Sequence, residues 1–496
     1  MTTGVDQSFL DIAALTDAYR RGSLSPVEIV AMVLERAEAC RPTLNAFNGI
    51  AHETAMNQAR LAETSYRRGD AVGPLAGVPI TVKDIIPTEG IRTTFGSPAF
   101  ASYVPNADAV SVRRMRQAGA ILIGKTTTPE FACKQTTNSK LSGVTRNPWR
   151  LALTPGGSSG GSSSSIAAGI GHLSLVTDGG GSARLPAACT GVVGLKPTFA
   201  VIPFDTALDV FGGFGHIGLM ARNVRDVAIA LAVARGPDPA DPHSLAGGRA
   251  PSWTELRGKH PLSGLRVGWR EHLHNEAIDP FLSQTFHHAL KAFEALGAFV
   301  GPIDSAIESP FEIWRTLQDT VWAERYGDNP EVMKGVDPVI AEGISRAGSL
   351  SARALQAAQH GRTRLFRRVQ QWFAAWDVVV TPALTRPPLP AEHPGSGKIE
   401  VAGGPAGDIR EAWAPHLGLI TMTGHPALSL NCGWTPDALP IGLHLVSRWY
   451  EDDSLLRAAR ALENALPDAA WRLPPPSCQR TEDDQQMLVT DPSGGQ

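Results

Sequence analysis

Along the first forty residues the apolar positions recur at helical spacing. Leu10, Ile12, Ala13 and Leu15 share one face up to Gly22, and Ser25, Pro26 and Glu28 then supply an N-cap, a first-turn proline and a capping-box acid for a second helix. From about residue 75 the pattern changes to short β-branched runs bounded by glycine, GVPITVKD and GAILIGKT, with a helix predicted over 106–117 between them. Strand, helix and strand in succession predict a layered α/β core. Further short strands are predicted at 173–177, 191–195, 377–380, 427–430 and 441–446, a closing helix at 454–466, and a mostly helical middle at 236–375. This gives a helical region at 1–75 packed on one large domain at 76–477. The polar tail at 478–496 is expected to be disordered.

Composition narrows the function classes. The 496 residues are 43% hydrophobic and 19% charged, enough for a sizeable core. With 45 basic and 48 acidic side chains the formal charge is −3, which lacks the basic field that nucleic acid or an anionic membrane surface requires. Apolar runs fall short of the ~18 residues of a spanning helix, and the N-terminus does not read as a signal peptide. The five cysteines, Cys40, Cys133, Cys189, Cys432 and Cys478, form no Cys-x-x-Cys pair, so reduced thiols and a cytoplasmic location are expected. No histidine or cysteine group has zinc spacing, and no metal or cofactor is expected. A homodimer is the commonest soluble assembly and is carried as the default.

Two motif matches fail on context. Gly119 to Thr126 fits the phosphate-loop expression letter for letter, but Ala120 to Ile123 is a continuous apolar run that suits a buried strand. Gly213-Phe-Gly215-His-Ile-Gly218 fits the dinucleotide fingerprint, yet the helix after it starts near Asn223, too late to hold a pyrophosphate against those glycines. That segment is read as a loop beside a pocket.

Chemistry concentrates in two glycine-serine clusters. Gly156 to Ser162 has the composition of a flexible linker, but a helical pattern follows it at once and a second cluster, Thr177-Asp-Gly-Gly-Gly-Ser182-Ala-Arg184, comes soon after. Gly179, Gly180 and Gly181 let several N–H groups converge, as an oxyanion hole requires, with each donor worth roughly 3 kcal/mol. Ser182 would then be a nucleophile. A tight turn with Ser182 as its solvated corner fits the same residues. No histidine is placed to serve as base, which directs attention to Lys83 at the end of the apolar run Val78 to Val82. Alternation puts Lys83 and Asp84 on opposite faces, so the carboxylate need not keep the amine charged. Bringing a lysine from ~10.4 to about 7.5 takes roughly 4 kcal/mol of desolvation. A lysine snorkelling from a strand end is the alternative.

Taken together these segments resemble the amidase signature family of serine hydrolases. Lys83 lies in VKD, Ser158 in GGSSGGS, Ser182 in TDGGGSAR, and GLKPT closes the block, in family order and spacing; GAILIGKTTTPEF, TRNPW, DVVVTPAL, TGHPALSL and PIGLHLVS extend the likeness over most of the chain except roughly 236–375. The resemblance implies a large twisted mixed β-sheet covered by helices on both faces. It implies a triad in which Lys83 is the base, Ser158 relays the proton and Ser182 attacks the carbonyl of a small-molecule amide to give an acyl-enzyme. It also implies a cis peptide bond between Gly157 and Ser158, an oxyanion hole from the amides of Gly179, Gly180, Gly181 and Ser182, and support from Asp178, Arg184 and Ser159. Gly179 and Ala183 are smaller than the family's usual residues there, which implies a more open pocket.

Two other readings compete. One is the glutaminase-type subunit of a tRNA-dependent amidotransferase, although FAVIPFDTALDVFGG departs from its usual continuation. The other takes Gly156-x-Ser158-x-Gly160 as the nucleophile elbow of an α/β-hydrolase esterase, against which Pro155 argues where a strand is needed. Substrate choice is expected to rest on 204–214, on the helical stretch with Trp314 and Trp322, and on the region around Trp413, whose aromatic content suggests an apolar or aryl acyl group.

Overall fold

Eleven short strands, drawn from nearly the whole length of the chain, join one mixed sheet. The computed structural model describes residues 6–246, 258–273 and 277–466, so the tail predicted at 478–496 lies outside the described residues. The strands are β1 (Phe47–Ile50), β2 (Pro79–Lys83), β3 (Ile121–Thr126), β4 (Leu173–Asp178), β5 (Val193–Lys196), β6 (His216–Ala221), β7 (Arg266–Trp269), β8 (Phe299–Pro302), β9 (Val378–Pro382), β10 (Ala427–Trp434) and β11 (Pro440–Ser447). Across the sheet they follow the order β1-β3-β2-β4-β6-β5-β10-β11-β9-β7-β8. β2 runs parallel to β3 and β4, β7 runs parallel to β8 and β9, and the remaining neighbours are antiparallel.

Every residue of β2, β3, β4, β5, β6, β9 and β11 is buried, which explains why their sequences read as continuous apolar runs. Successive side chains enter different cores. Val378 and Val380 of β9 belong to one apolar cluster and Val379 to another, and Leu428 and Ala427 of β10 divide the same way. That alternation places helix-covered cores on both faces of the sheet.

The structure differs from the sequence reading at identifiable places. β1 lies within the N-terminal region read as helical, and β7 and β8 within the helical middle. Each has four residues, and β1 and β8 are edge strands, too short for a period to register. The helix predicted from 106 begins at Val110, where the Asp205 carboxylate accepts the Val110 N–H at 3.1 Å, a start signal supplied from elsewhere in the chain. The Gly213–Gly218 segment is not simply a loop, since from His216 it is strand β6. Cys133, Cys189 and Cys432 are free, but Cys40 is disulfide-bonded, which corrects the expectation of reduced thiols throughout. Among the described residues no helix is long and apolar enough to cross a membrane.

Candidate active site

Lys83 closes β2 beside β4, whose last two residues are Thr177 and Asp178. Its side chain is fully buried, and its Nζ donates to Ser158 Oγ at 2.6 Å and to Thr177 Oγ1 at 3.0 Å. Burial disfavours the ammonium and brings its pKa down to about 7, against the pull of the Asp178 carboxylate. Asp84 turns the other way, as strand alternation predicts: it accepts from Asn48 Nδ2 at 2.7 Å and from the Thr94 amide, and its cation is Lys125.

Ser158 follows a cis peptide bond from Gly157 and leads into the fully buried helix Gly160–Ala167. A Cβ on Gly157 would lie 2.7 Å from the Thr136 carbonyl oxygen, so this glycine lets two backbones meet. The cluster is therefore a packed segment, not a linker. Ser159 sits at the helix start with its Oγ 3.5 Å from the Thr177 carbonyl oxygen. The elbow reading fails here, because no strand leads into the segment at 152–155 and Ser158 Oγ is bonded to a lysine amine.

The loop after β4 is held from below. Asp178 accepts the Gly181 N–H at 2.8 Å and the Ala183 N–H at 3.2 Å, bracketing Ser182. Burial would raise the Asp178 carboxyl, but Arg184, bonded through Nε and Nη2 at 3.0 Å each, overrides it and holds the carboxyl well below the usual range. Arg184 Nη2 also donates to the Leu417 carbonyl at 2.9 Å and to Thr421 Oγ1 at 2.7 Å, and Arg184 Nη1 lies 2.9 Å from His444 Nε2. A guanidinium only donates, so Nε2 accepts and Nδ1–H faces Thr381 Oγ1 at 3.0 Å.

Three of the four expected oxyanion donors are thus distinguished from the fourth. The Gly181 amide is engaged by Asp178, with Gly181 at φ +108° packed on Leu417, whereas the amides of Gly179, Gly180 and Ser182 make no hydrogen bond to a described residue. Ser182 is half-buried, and its Oγ likewise has no such partner. A Cβ on Gly179 would meet nothing within 4 Å, in keeping with an opening at that point.

Beside this loop a pocket is lined by Gly180, Gln135, Leu273, Phe311, Trp314 and Arg410, among others. Trp314 Nε1 donates to the Gly179 carbonyl at 2.9 Å. Trp322 stands behind it, edge-on at 6.3 Å. Trp413, expected near the substrate, is instead fully buried with its Nε1 3.3 Å from the Arg386 carbonyl oxygen, a core residue. The 204–214 segment packs against the Ala352–Ala375 helix, whose Arg362 donates to the Gly212 carbonyl and lies over Phe214.

An internal lysine amine paired with a serine hydroxyl, next to a glycine loop with free amides, is the arrangement the family resemblance implied. The model of the family described as Amidase matches residues 28–456. The chain belongs to the amidase family. An acylamidase of Rhodococcus erythropolis is 33% identical over 464 residues, covering 92% of this chain and 96% of that protein. A glutamyl-tRNA(Gln) amidotransferase subunit of Symbiobacterium thermophilum is 35% identical over 487 residues, with the same coverage. The crystal structure of a bacterial aryl acylamidase of the amidase signature family superposes with a TM-score of 0.85 at 25% identity, covering 95% of this chain and 99% of that one.

Several residues at this family site escaped the sequence reading. Thr177, the second partner of Lys83, had a signal available, since it is a hydroxyl on a buried strand directly before the glycine run. Thr421 and His444 had none: they reach Asp178 and Arg184 from 243 and 260 residues away.

Proposed function

We propose that the chain hydrolyses the C–N bond of a small-molecule amide through Lys83, Ser158 and Ser182. The observation that carries this reading is the buried Lys83 amine 2.6 Å from Ser158 Oγ, with its pKa brought near 7 by desolvation. Neutral Lys83 takes the Ser158 proton as Ser158 takes that of Ser182, and Ser182 Oγ bonds to the carbonyl carbon. The oxyanion is received by the amides of Gly179, Gly180 and Ser182. The relay returns a proton to the leaving nitrogen, the C–N bond breaks, and the acyl-enzyme is hydrolysed by water along the same path. Asp178 and Arg184 keep the loop in place.

The pocket beside Gly180, walled by Leu273, Phe311 and Trp314, favours an apolar or aryl acyl group. The relatives named acylamidase and aryl acylamidase support the same class. The likeness to amidotransferase subunits supports glutamine hydrolysis as the second reading. A fluorophosphonate probe followed by peptide mapping tests the mechanism. Label on Ser182 that disappears in Lys83→Ala is expected; label on Ser158, or no label, overturns it. Turnover of an aryl anilide but not of glutamine separates the two substrates.

A further inference from the structure

Trp314 stands outside the glycine-serine clusters, on the Phe311–Tyr326 helix, yet its indole N–H donates to the Gly179 carbonyl at 2.9 Å. In a trans peptide the C=O and the next N–H point to opposite sides, so pinning the Gly179 carbonyl also sets the direction of the Gly180 N–H, away from the indole. That N–H makes no hydrogen bond to a described residue and is one of the three amides left for the oxyanion. The indole is itself held. The Arg410 guanidinium carbon lies 4.1 Å from its ring centroid, Trp322 abuts it at 83°, and a Cβ on Gly180 would come within 3.3 Å of Nε1. The same ring lines the pocket.

From this geometry we infer that Trp314 is a positioning residue of the oxyanion hole, fixing the Gly179–Gly180 peptide plane through its N–H while its ring receives the acyl group. The inference rests on the proposed amide hydrolysis and deepens it. Contact between an acyl group and the ring is thereby coupled to the peptide that stabilises the tetrahedral intermediate.

The test uses the full chain with Trp314→Phe, which keeps an aromatic wall and removes the donor, assayed on an aryl-acyl anilide and on an acetanilide whose acyl group is too short to reach the ring. A positioning role predicts that kcat falls roughly 10- to 100-fold on both substrates, with KM for the acetanilide within about twofold of the wild type. Unchanged kcat on the acetanilide, with an altered KM only for the aryl substrate, overturns the inference. Because the smaller ring could loosen the pocket, 3-benzothienylalanine at position 314, which has the shape of tryptophan without the N–H, is measured in parallel. It is expected to reproduce the kcat loss, and wild-type kcat there overturns the inference. Turnover by the wild type with unaltered variants sinks this inference alone, whereas no turnover of any amide by the wild type sinks the hydrolase reading with it.

Discussion

Lys83 Nζ and Ser158 Oγ lie 2.6 Å apart where both side chains are fully buried. The charged amine is costly in that position, and its pKa falls from 10.5 to about 7. Only the neutral amine accepts a proton, so kcat/KM is expected to rise with pH along a limb whose midpoint is near 7. Lys83→Ala should lower kcat roughly 1,000-fold or more and abolish that limb. A profile that is flat between pH 5 and 9 in the wild type would rule out the lysine base.

The same shift carries a stability prediction of definite sign. Between about pH 7 and 10.5 the unfolded chain holds the Lys83 proton and the folded chain does not, so this group's penalty on folding is full below pH 7 and fades as pH rises toward 10.5. Lys83→Met should therefore raise the denaturant midpoint more at pH 6 than at pH 9. Equal changes at the two pH values would show that the lysine titrates normally.

Thr177 Oγ1 accepts from Lys83 Nζ at 3.0 Å and stabilises the charged amine. Its removal in Thr177→Val should lower the lysine pKa further and move the rising limb of the pH profile to lower pH by roughly one unit, since a hydrogen bond to a charged group is worth ~1.5 kcal/mol. An upward displacement, or none, would mean that the hydroxyl does not sense the charge.

What could be read in advance followed from local rules, and what could not came from tertiary contact. Lys83 was visible because strand alternation separates it from Asp84, and Ser182 because three glycines precede it. The core of the sheet was visible because strands buried on both faces are written in unbroken apolar runs. β1 and β8 were not, since four residues at a sheet edge carry no period, and neither was the start of the Val110–Gln117 helix, which is capped by Asp205. Trp314 and Trp413 look alike in sequence, each an aromatic residue in a region expected to face substrate. One lines a pocket and the other is fully buried in the core, a distinction made by packing alone.

Ser182, Ser158 and Lys83 are proposed to act as one relay, so their losses should not add. Ser182→Ala is expected to abolish fluorophosphonate labelling and to reduce kcat to a residue sustained by the oxyanion amides. The double variant Lys83→Ala with Ser158→Ala should then be no slower, within about threefold, than the slower of its single variants. Multiplicative losses, measured by kcat of the two single variants and the double, would mean that the serine and the lysine serve separate steps.

Arg184 and Asp178 are both fully buried, and the guanidinium holds the Asp178 carboxyl in its charged form. Removing the guanidinium leaves a carboxylate in the interior with only Thr421 Oγ1 and the amides of Gly181 and Ala183 as donors. Breaking a buried pair from one side costs about 3–5 kcal/mol, so Arg184→Met should lower unfolding stability by that order in denaturant titration at pH 7. The sign of the pH dependence follows from Asp178. Its folded pKa is depressed below 3.8, so the pair's contribution is complete above that value and is lost as pH falls below it. In Arg184→Met nothing opposes the desolvation of Asp178, so its pKa rises and its protonation relieves the variant as pH falls; the stability gap to the wild type should accordingly be largest in neutral or mildly alkaline solution and narrow on acidification. A gap that did not change with pH would mean that Asp178 is protonated in both folded chains, and that the loop bearing Ser182 is held by a neutral acid and not by an ion pair.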